Sequence, residues 1–556
     1  MQEPDRLPAA PSATIRPMDG PADLVLLGGT VEAIAERASP ADAVAVRGGR
    51  IAEVGRPADV RPWIGPRTDV LELAGETILP GFGDAHVHPI EAGMLADRCD
   101  LRDLADASAV ADAVIRYAAA HADRSWIVGA GWSLDAFERG EPGRELLDRL
   151  VGGRPAFLES NDGHVAWVST AALRVSRVTR DTPDPPDGRI VRDATGEPAG
   201  TLVDGAVALV ARHLPATTHE ERLAGLRAAL AELNGLGITA WQDAHVEPAD
   251  LAAYREADAA GWLTARVQAA LWWDRQRGLE QIEELEDLRS SVRPGGRLRA
   301  SSVKLMLDGI VESRTAWMSA PYHGTDGERG APFIDPGLVR DAVVELDRRG
   351  FQAHFHAIGD AAVTLALDAV EEARRRNGPS DNRHHVSHLE VVHPRDLPRF
   401  AELGAVANIQ PYWAVDDDQM QQLRIPLLGP DRIGWQFSFA SLRRAGALLA
   451  GGSDWPVTTA NPLLEMEVAV TRVSPGARDG EPFRPEQRLT LDDVLRAFTA
   501  GTAFVNRLDD RTGTIEVGKQ ADLVILDRNL RASDGSPIGD ARVRRTYVAG
   551  AAAPPS

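Results

Sequence analysis

Eight short apolar runs, each followed by a longer amphipathic stretch, recur through the middle of this chain. That alternation limits the folds open to it more than any other feature. The runs lie near residues 79–86, 237–243, 266–272, 302–308, 352–357, 385–389, 406–411 and 448–454. Strands that alternate with helices in this way build a parallel sheet, because each crossover helix returns the chain to the same end of the sheet. Eight such units close into a TIM barrel. The stretch 360–376 illustrates the helices, with Ala362, Leu365, Ala366, Ala369 and Val370 on one face. The spacing predicts an α/β chain built on a (β/α)8 barrel over residues 79–507.

The two ends have a different texture. Residues 23–78 and 508–552 read as short β-rich runs closed by Gly pairs, such as 22–29, 43–51, 521–527 and 544–550. Each end offers too few strands to close a core alone, so the two are expected to pair into one small β-sandwich domain. The first and second barrel runs are too far apart for a single helix. An insertion is therefore expected over about 100–235, with strand-like runs at 125–129 and 155–159 and a Pro/Gly/Asp-rich loop at 181–200. Residues 1–22 read as a disordered tail.

Composition narrows the partners. The formal net charge of -21 repels nucleic acid and anionic lipid. No run approaches the ~18 apolar residues of a membrane span. The N-terminus lacks the basic start and apolar stretch of a signal peptide. The single cysteine, Cys99, excludes an internal disulfide framework. These features predict a cytoplasmic enzyme of a small-molecule substrate, with no nucleic acid or membrane partner, and leave a homo-oligomer open.

The chemistry begins at the ends of the apolar runs. His86 and His88 close the first, and residues two apart on a strand point the same way. Both imidazoles would face the C-terminal mouth of the barrel, where active sites of this fold lie. Alone, a His-x-His pair fits a polar turn as well as half a metal site. Further candidates stand at the other ends: His354 and His356 in the fifth run, His384, His385 and His388 at the sixth, Asp454 closing the eighth. Asp454, just before Trp455-Pro456, fits either a helix N-cap or a proton-shuttling ligand.

Lys304 is the sharpest signal. Of 61 Lys and Arg residues, only Lys304 and Lys519 are lysines. Lys519 lies in a polar turn. Lys304 lies in the apolar fourth run, where an ammonium is costly to bury and is a poor metal ligand. A lysine carboxylated by CO2 is an anion with two oxygens that bridges metal ions, a role closed to arginine. The competing reading is a lysine that snorkels from a strand edge.

The motifs Leu79-Pro80-Gly81-Phe82-Gly83-Asp84-Ala85-His86-Val87-His88-Pro89, Asn161-Asp162-Gly163-His164, Lys304-Leu305-Met306-Leu307-Asp308-Gly309, Glu312-Ser313-Arg314-Thr315-Ala316, His356-Ala357-Ile358-Gly359-Asp360 and Gly452-Ser453-Asp454-Trp455-Pro456 resemble those of the amidohydrolase superfamily. Within it the chain is similar to the YtcJ-like branch (amidohydrolase 3), which includes N-substituted formamide deformylase. The likeness runs from about Asp23 to Gly550. It implies that His86 and His88 bind one metal, His356 and His388 a second, that carboxylated Lys304 bridges them, and that Asp454 binds metal and shuttles a proton. It implies one or two divalent ions per chain, with zinc the default for such ligands. Ser387 departs from the branch, where an acidic residue precedes the ligand His.

The implied reaction is hydrolysis of a C–N bond other than a peptide bond, in an amide or N-substituted formamide, by metal-activated water. Two other readings stand beside it: a cyclic amidase or amino-heterocycle deaminase, and a catalytically inactive metal-binding regulatory protein. His164, Asp308, Arg314 and Trp132 are the substrate-side candidates. His164 fits a plain loop equally well, Arg314 a structural ion pair, and Trp132 an ordinary core position, as do Trp317, Trp413 and Trp455.

Overall fold

The computed structural model describes residues 20–36, 39–532 and 535–554. Most of the stretch read as a tail, residues 1–19, lies outside them. Eight parallel strands form one sheet in sequential order: β1 (Phe82–Val87), β2 (Ile238–Val246), β3 (Arg266–Trp272), β4 (Leu298–Met306), β5 (Gln352–Ala357), β6 (His385–His388), β7 (Val406–Ile409) and β8 (Leu449–Gly451). β1 and β8 stand at the edges of this ladder. They are tied just past their ends, where Asp454 N–H donates to the His86 carbonyl at 2.7 Å and His88 N–H to the Trp455 carbonyl at 2.8 Å. The expected (β/α)8 barrel is the fold observed.

Alternation along the strands explains what each face does. On β4, Val303, Leu305 and the following Leu307 pack in the main core against the helices, while Lys304 points the other way. On β5, Ala353, Phe355 and Ala357 enter that core, leaving His354 and His356 to the interior. A hydrophobic face toward the helices thus carries the polar face into the barrel.

Two smaller sheets stack over a shared core. One pairs Arg50–Gly55, Ala43–Arg47, Leu24–Leu27 and Asp69–Glu72. The other joins both ends of the chain, with Thr77–Pro80 antiparallel to Leu523–Leu526 and Leu523–Leu526 antiparallel to Val543–Val548. Leu24, Val44, Ile51, Ile78, Leu523 and Tyr547 meet between the two sheets. The single run read at 79–86 is in fact two elements. Thr77–Pro80 belongs to the smaller sheet, and the chain passes through Gly81 straight into β1. A Cβ at Gly81 would stand 2.4 Å from Thr239 on β2, so only glycine fits this junction.

Between β1 and β2 lies a six-stranded sheet running from Cys99–Asp100 to Pro198–Asp204. The insertion is shorter than expected. Helix His219–Gly235 buries Leu226, Ala229, Leu230 and Leu233 in the barrel's own core. The inserted sheet packs Trp132, Leu158 and Trp167 against Ile310, Val311, Ile358 and Val391 from loops after β4, β5 and β6. That contact sets the insertion over the barrel mouth. Among the described residues, no helix is long and apolar enough to cross a membrane.

Candidate metal centre and active site

His86, His388 and Asp454 bring ligand atoms within 4.8 Å of one another at the barrel mouth. Asp454 Oδ1 lies 3.2 Å from His86 Nε2 and 3.1 Å from His88 Nε2, and its Oδ2 lies 3.9 Å from His388 Nδ1. Lys304 Nζ is 3.2 Å from His86 Nε2. The His356 ring is 4.3 Å from that of His388. All six expected ligands line one cavity of about 470 Å3.

Two of these ligands reach the cavity through strained backbone. On β6, His385 and Ser387 face the interior: the His385 ring lies 4.0 Å from that of His354, and Ser387 Oγ is 2.9 Å from His354 Nε2. Val386 faces the core, and simple alternation would send His388 with it. Instead His388 adopts φ +77° and its N–H donates to Gln410 Oε1 at 2.7 Å, which swings the ring to within 4.7 Å of His86. Asp454 also sits in the left-handed region, at φ +58°. Such conformations cost a non-glycine residue about 1–3 kcal/mol and gather at functional sites. Asp84 holds the β1–β8 seam, accepting from Ser453 Oγ at 2.6 Å and from His86 N–H at 2.9 Å.

The donor set fits a divalent cation. His388 Nδ1 and Nε2 and His356 Nε2 are buried without any hydrogen-bond partner among the described residues. Orphaned imidazole nitrogens are expensive unless something binds them. Burial holds His86, His356 and His388 well below the ordinary imidazole range, so all three present neutral nitrogens. Burial pushes the Asp454 carboxyl up, but the His88 hydrogen bond and the electrostatic pull of the surrounding His388, His88 and Lys304 outweigh it and keep the group below the usual carboxylate range. Burial pulls the Lys304 amine down to about 7, which exposes the unprotonated nitrogen that CO2 requires. His354 Nε2 lies 3.0 Å from His86 Nδ1 and so fixes the direction of that ring.

His164 enters from the insertion, in the turn between strands Ala156–Ser160 and Val165–Val168. Its Nδ1 lies 2.6 Å from Asp204 Oδ1, which leaves Nε2 for the cavity. Burial lowers its pKa, but the Asp204 charge and hydrogen bond prevail and raise it to about 9. The site therefore places an imidazolium 5.4 Å, ring to ring, from His356.

The other substrate-side candidates fall elsewhere. Trp132 is fully buried inside the insertion, and its indole N–H donates to the Leu158 carbonyl. Its aromatic bulk builds the roof rather than the pocket. Arg314 pairs with Glu328 at 2.9 Å, away from the cavity. Asp308 accepts backbone N–H bonds from Trp317, Ile358 and Gly359, so it clamps the loops after β4 and β5. Of the four tryptophans considered, only Trp413 lines the cavity; it stacks on His388 at 5.3 Å. Trp272 and His245 line it too and were missed. Asp243 and His245 repeat on β2 the two-residue spacing of His86 and His88, a signal that a run ending at residue 243 leaves out.

A nearly closed barrel of eight parallel strands with His, Asp and Lys side chains gathered at its C-terminal mouth is the architecture of a metal-dependent hydrolase. The chain belongs to the amidohydrolase family, whose model matches residues 69–553. It is 30% identical to Protein LONG AFTER FAR-RED 3 of Arabidopsis thaliana, covering 95% of this chain and 91% of that protein. It is 28% identical to the putative amidohydrolase YtcJ of Bacillus subtilis (strain 168), covering 94% and 98%. It is 28% identical to the N-substituted formamide deformylase of Arthrobacter pascens, covering 95% and 97%. An uncharacterized metal-dependent hydrolase from Pyrococcus furiosus superposes with a TM-score of 0.69 at 25% identity, over 91% of this chain and 99% of that one.

Proposed function

We propose that this protein is a metal-dependent hydrolase of C–N bonds in non-peptide amides, with N-substituted formamides as its substrate class. The observation that carries the reading is the ionised Asp454 carboxylate, buried at hydrogen-bond distance from His86 and His88 and facing a cavity that also holds the His164 imidazolium. The likeness to the Arthrobacter pascens deformylase along nearly the whole chain favours the formamide class.

His86, His88, His356, His388 and Asp454 would hold the cation, with Lys304, once carboxylated, adding an oxygen donor. A divalent cation there, zinc suiting these donors best, supplies Lewis-acid polarisation of the carbonyl and lowers the pKa of water. Asp454 accepts the proton of the attacking water and returns it to the departing nitrogen. His164 Nε2–H donates to the substrate carbonyl or to the charge that develops on it, and Asp204 keeps that proton in place. The insertion roof, built on Trp132 and Trp167, limits bulk water above the site.

The test is a metal analysis joined to a hydrolysis screen of N-substituted formamides, larger amides, lactams and amino-heterocycles. We expect formate release from formamides that stops on chelation and returns with zinc. Ammonia release from an amino-heterocycle with inert formamides would overturn the formamide class in favour of a deaminase.

A further inference from the structure

A second chamber of about 760 Å3 opens beside the metal cavity. Asn161, Asp162, Ile310, Trp413 and Pro456 line both, so the two spaces adjoin. The Trp413 ring stands between them. One neighbour is the His388 ring at 5.3 Å, and another is the Arg424 guanidinium at 5.9 Å.

The far wall carries an unbalanced buried cluster. Arg424 is hydrogen-bonded to Glu312, whose Oε1 also accepts from Gln419 at 2.7 Å. Glu390 is fully buried, and its nearest cation is Arg424 Nη2 at 3.8 Å. Both carboxylate oxygens of Glu390, and Oε2 of Glu312, have no hydrogen-bond partner among the described residues. Two buried carboxylates thus share one guanidinium, with three acceptor oxygens unused. Such groups have lost their hydration and recover the cost only when donors reach them. The other guanidinium of the wall, Arg102, is already engaged by Asp100 through two hydrogen bonds. Asp103, Asp135 and Asp417 add further negative charge to the chamber.

The geometry points to a substrate subsite for a cationic, hydrogen-bond-donating group, such as a primary ammonium, held by Glu312 and Glu390 at the distal end of a molecule whose scissile bond lies at the metal centre. This rests on the metal-dependent reading of that centre and goes beyond it by assigning the other end of the substrate. Three donors on one ammonium match the three unused oxygens. The Trp413 face beside the path suits an alkyl or aryl linker and a passing cation. An anionic end group would meet guanidiniums that are already committed.

The test uses three ligands with the same hydroxamate head, which chelates a divalent metal whatever the natural substrate. They are aminohexanoyl hydroxamate, hexanoyl hydroxamate and the monohydroxamate of adipic acid. Their dissociation constants are measured by calorimetry on the zinc-loaded full-length protein. The amino tail should bind about tenfold or more tighter than the plain alkyl tail, and the carboxylate tail more weakly than either. In Glu312→Gln and Glu390→Gln the amino advantage should fall to within about twofold while the alkyl ligand keeps its affinity. If these variants do not fold, the order of the three tails on the unmodified protein decides. Equal binding of all three, or preference for the carboxylate tail, overturns the subsite and leaves the metal centre standing. Binding of none overturns the metal reading and the subsite with it.

Discussion

Lys304 Nζ lies 3.2 Å from His86 Nε2, although the two residues are 218 positions apart and both are buried. Among the described residues no carboxylate hydrogen-bonds to this amine, and burial brings it to about 7. A lysine kept charged by a partner would look different. The contact places the one lysine of the barrel wall against His86, a proposed metal ligand, where a carbamate would complete the donor set.

Replacing that nitrogen with a guanidinium tests the role. Lys304→Arg should bind less than half the metal of the unmodified protein by elemental analysis and lose hydrolysis about 1000-fold. Carbon-13 bicarbonate should give a carbamate resonance in the unmodified protein and none in the variant. Unchanged metal content and rate would remove Lys304 from the centre.

Asp454→Asn keeps the shape and removes the base. Turnover should fall about 10²–10⁴-fold, with the thermal midpoint changed little. A rate near that of the unmodified protein would exclude Asp454 as the proton carrier.

The His164–Asp204 pair carries a pH signature. Its pKa of about 9 lies above the 6.5 of a free imidazole, so the charged, donating form dominates below 9 and disappears above it. The rate should therefore decline as pH rises through about 9. The pair's contribution to stability, complete below about 6.5, should fade over the same rise. Asp204→Asn should move the kinetic decline toward acid, because the raising charge is gone. A pH–rate profile that ignores Asp204 would refute the donor role.

The sandwich and the barrel share a buried ion pair. Arg266 on β3 makes two hydrogen bonds to Asp522, at 2.6 and 3.0 Å, and Asp522 is 3% exposed. Asp522→Ala strands a buried guanidinium and should cost about 3–5 kcal/mol in urea unfolding. Removing both partners together should cost less than the single change.

Much of the barrel was legible in the chain, because a strand buried on one face and lining a polar interior on the other writes its alternation into residues such as Val303, Lys304 and Leu305. The ends of elements were less legible. The run at 79–86 hid a change of sheet at Gly81, since apolar strands of both sheets look alike. Ending β2 at residue 243 dropped His245, and reading aromatic residues as pocket residues misplaced Trp132. Apolar character does not say which of two cores a side chain enters.

By itself the sequence determined the (β/α)8 frame and the ligand-type residues carried on its strands, because strand period and burial are local properties. Only the tertiary structure decided how those residues meet. His388 breaks its strand's alternation through a left-handed backbone held by Gln410 just past the end of the neighbouring strand. His164 becomes a cation only because Asp204, forty residues away, folds back onto it. Conformations and charges of this kind are set by distant neighbours, and no local pattern in the chain encodes them.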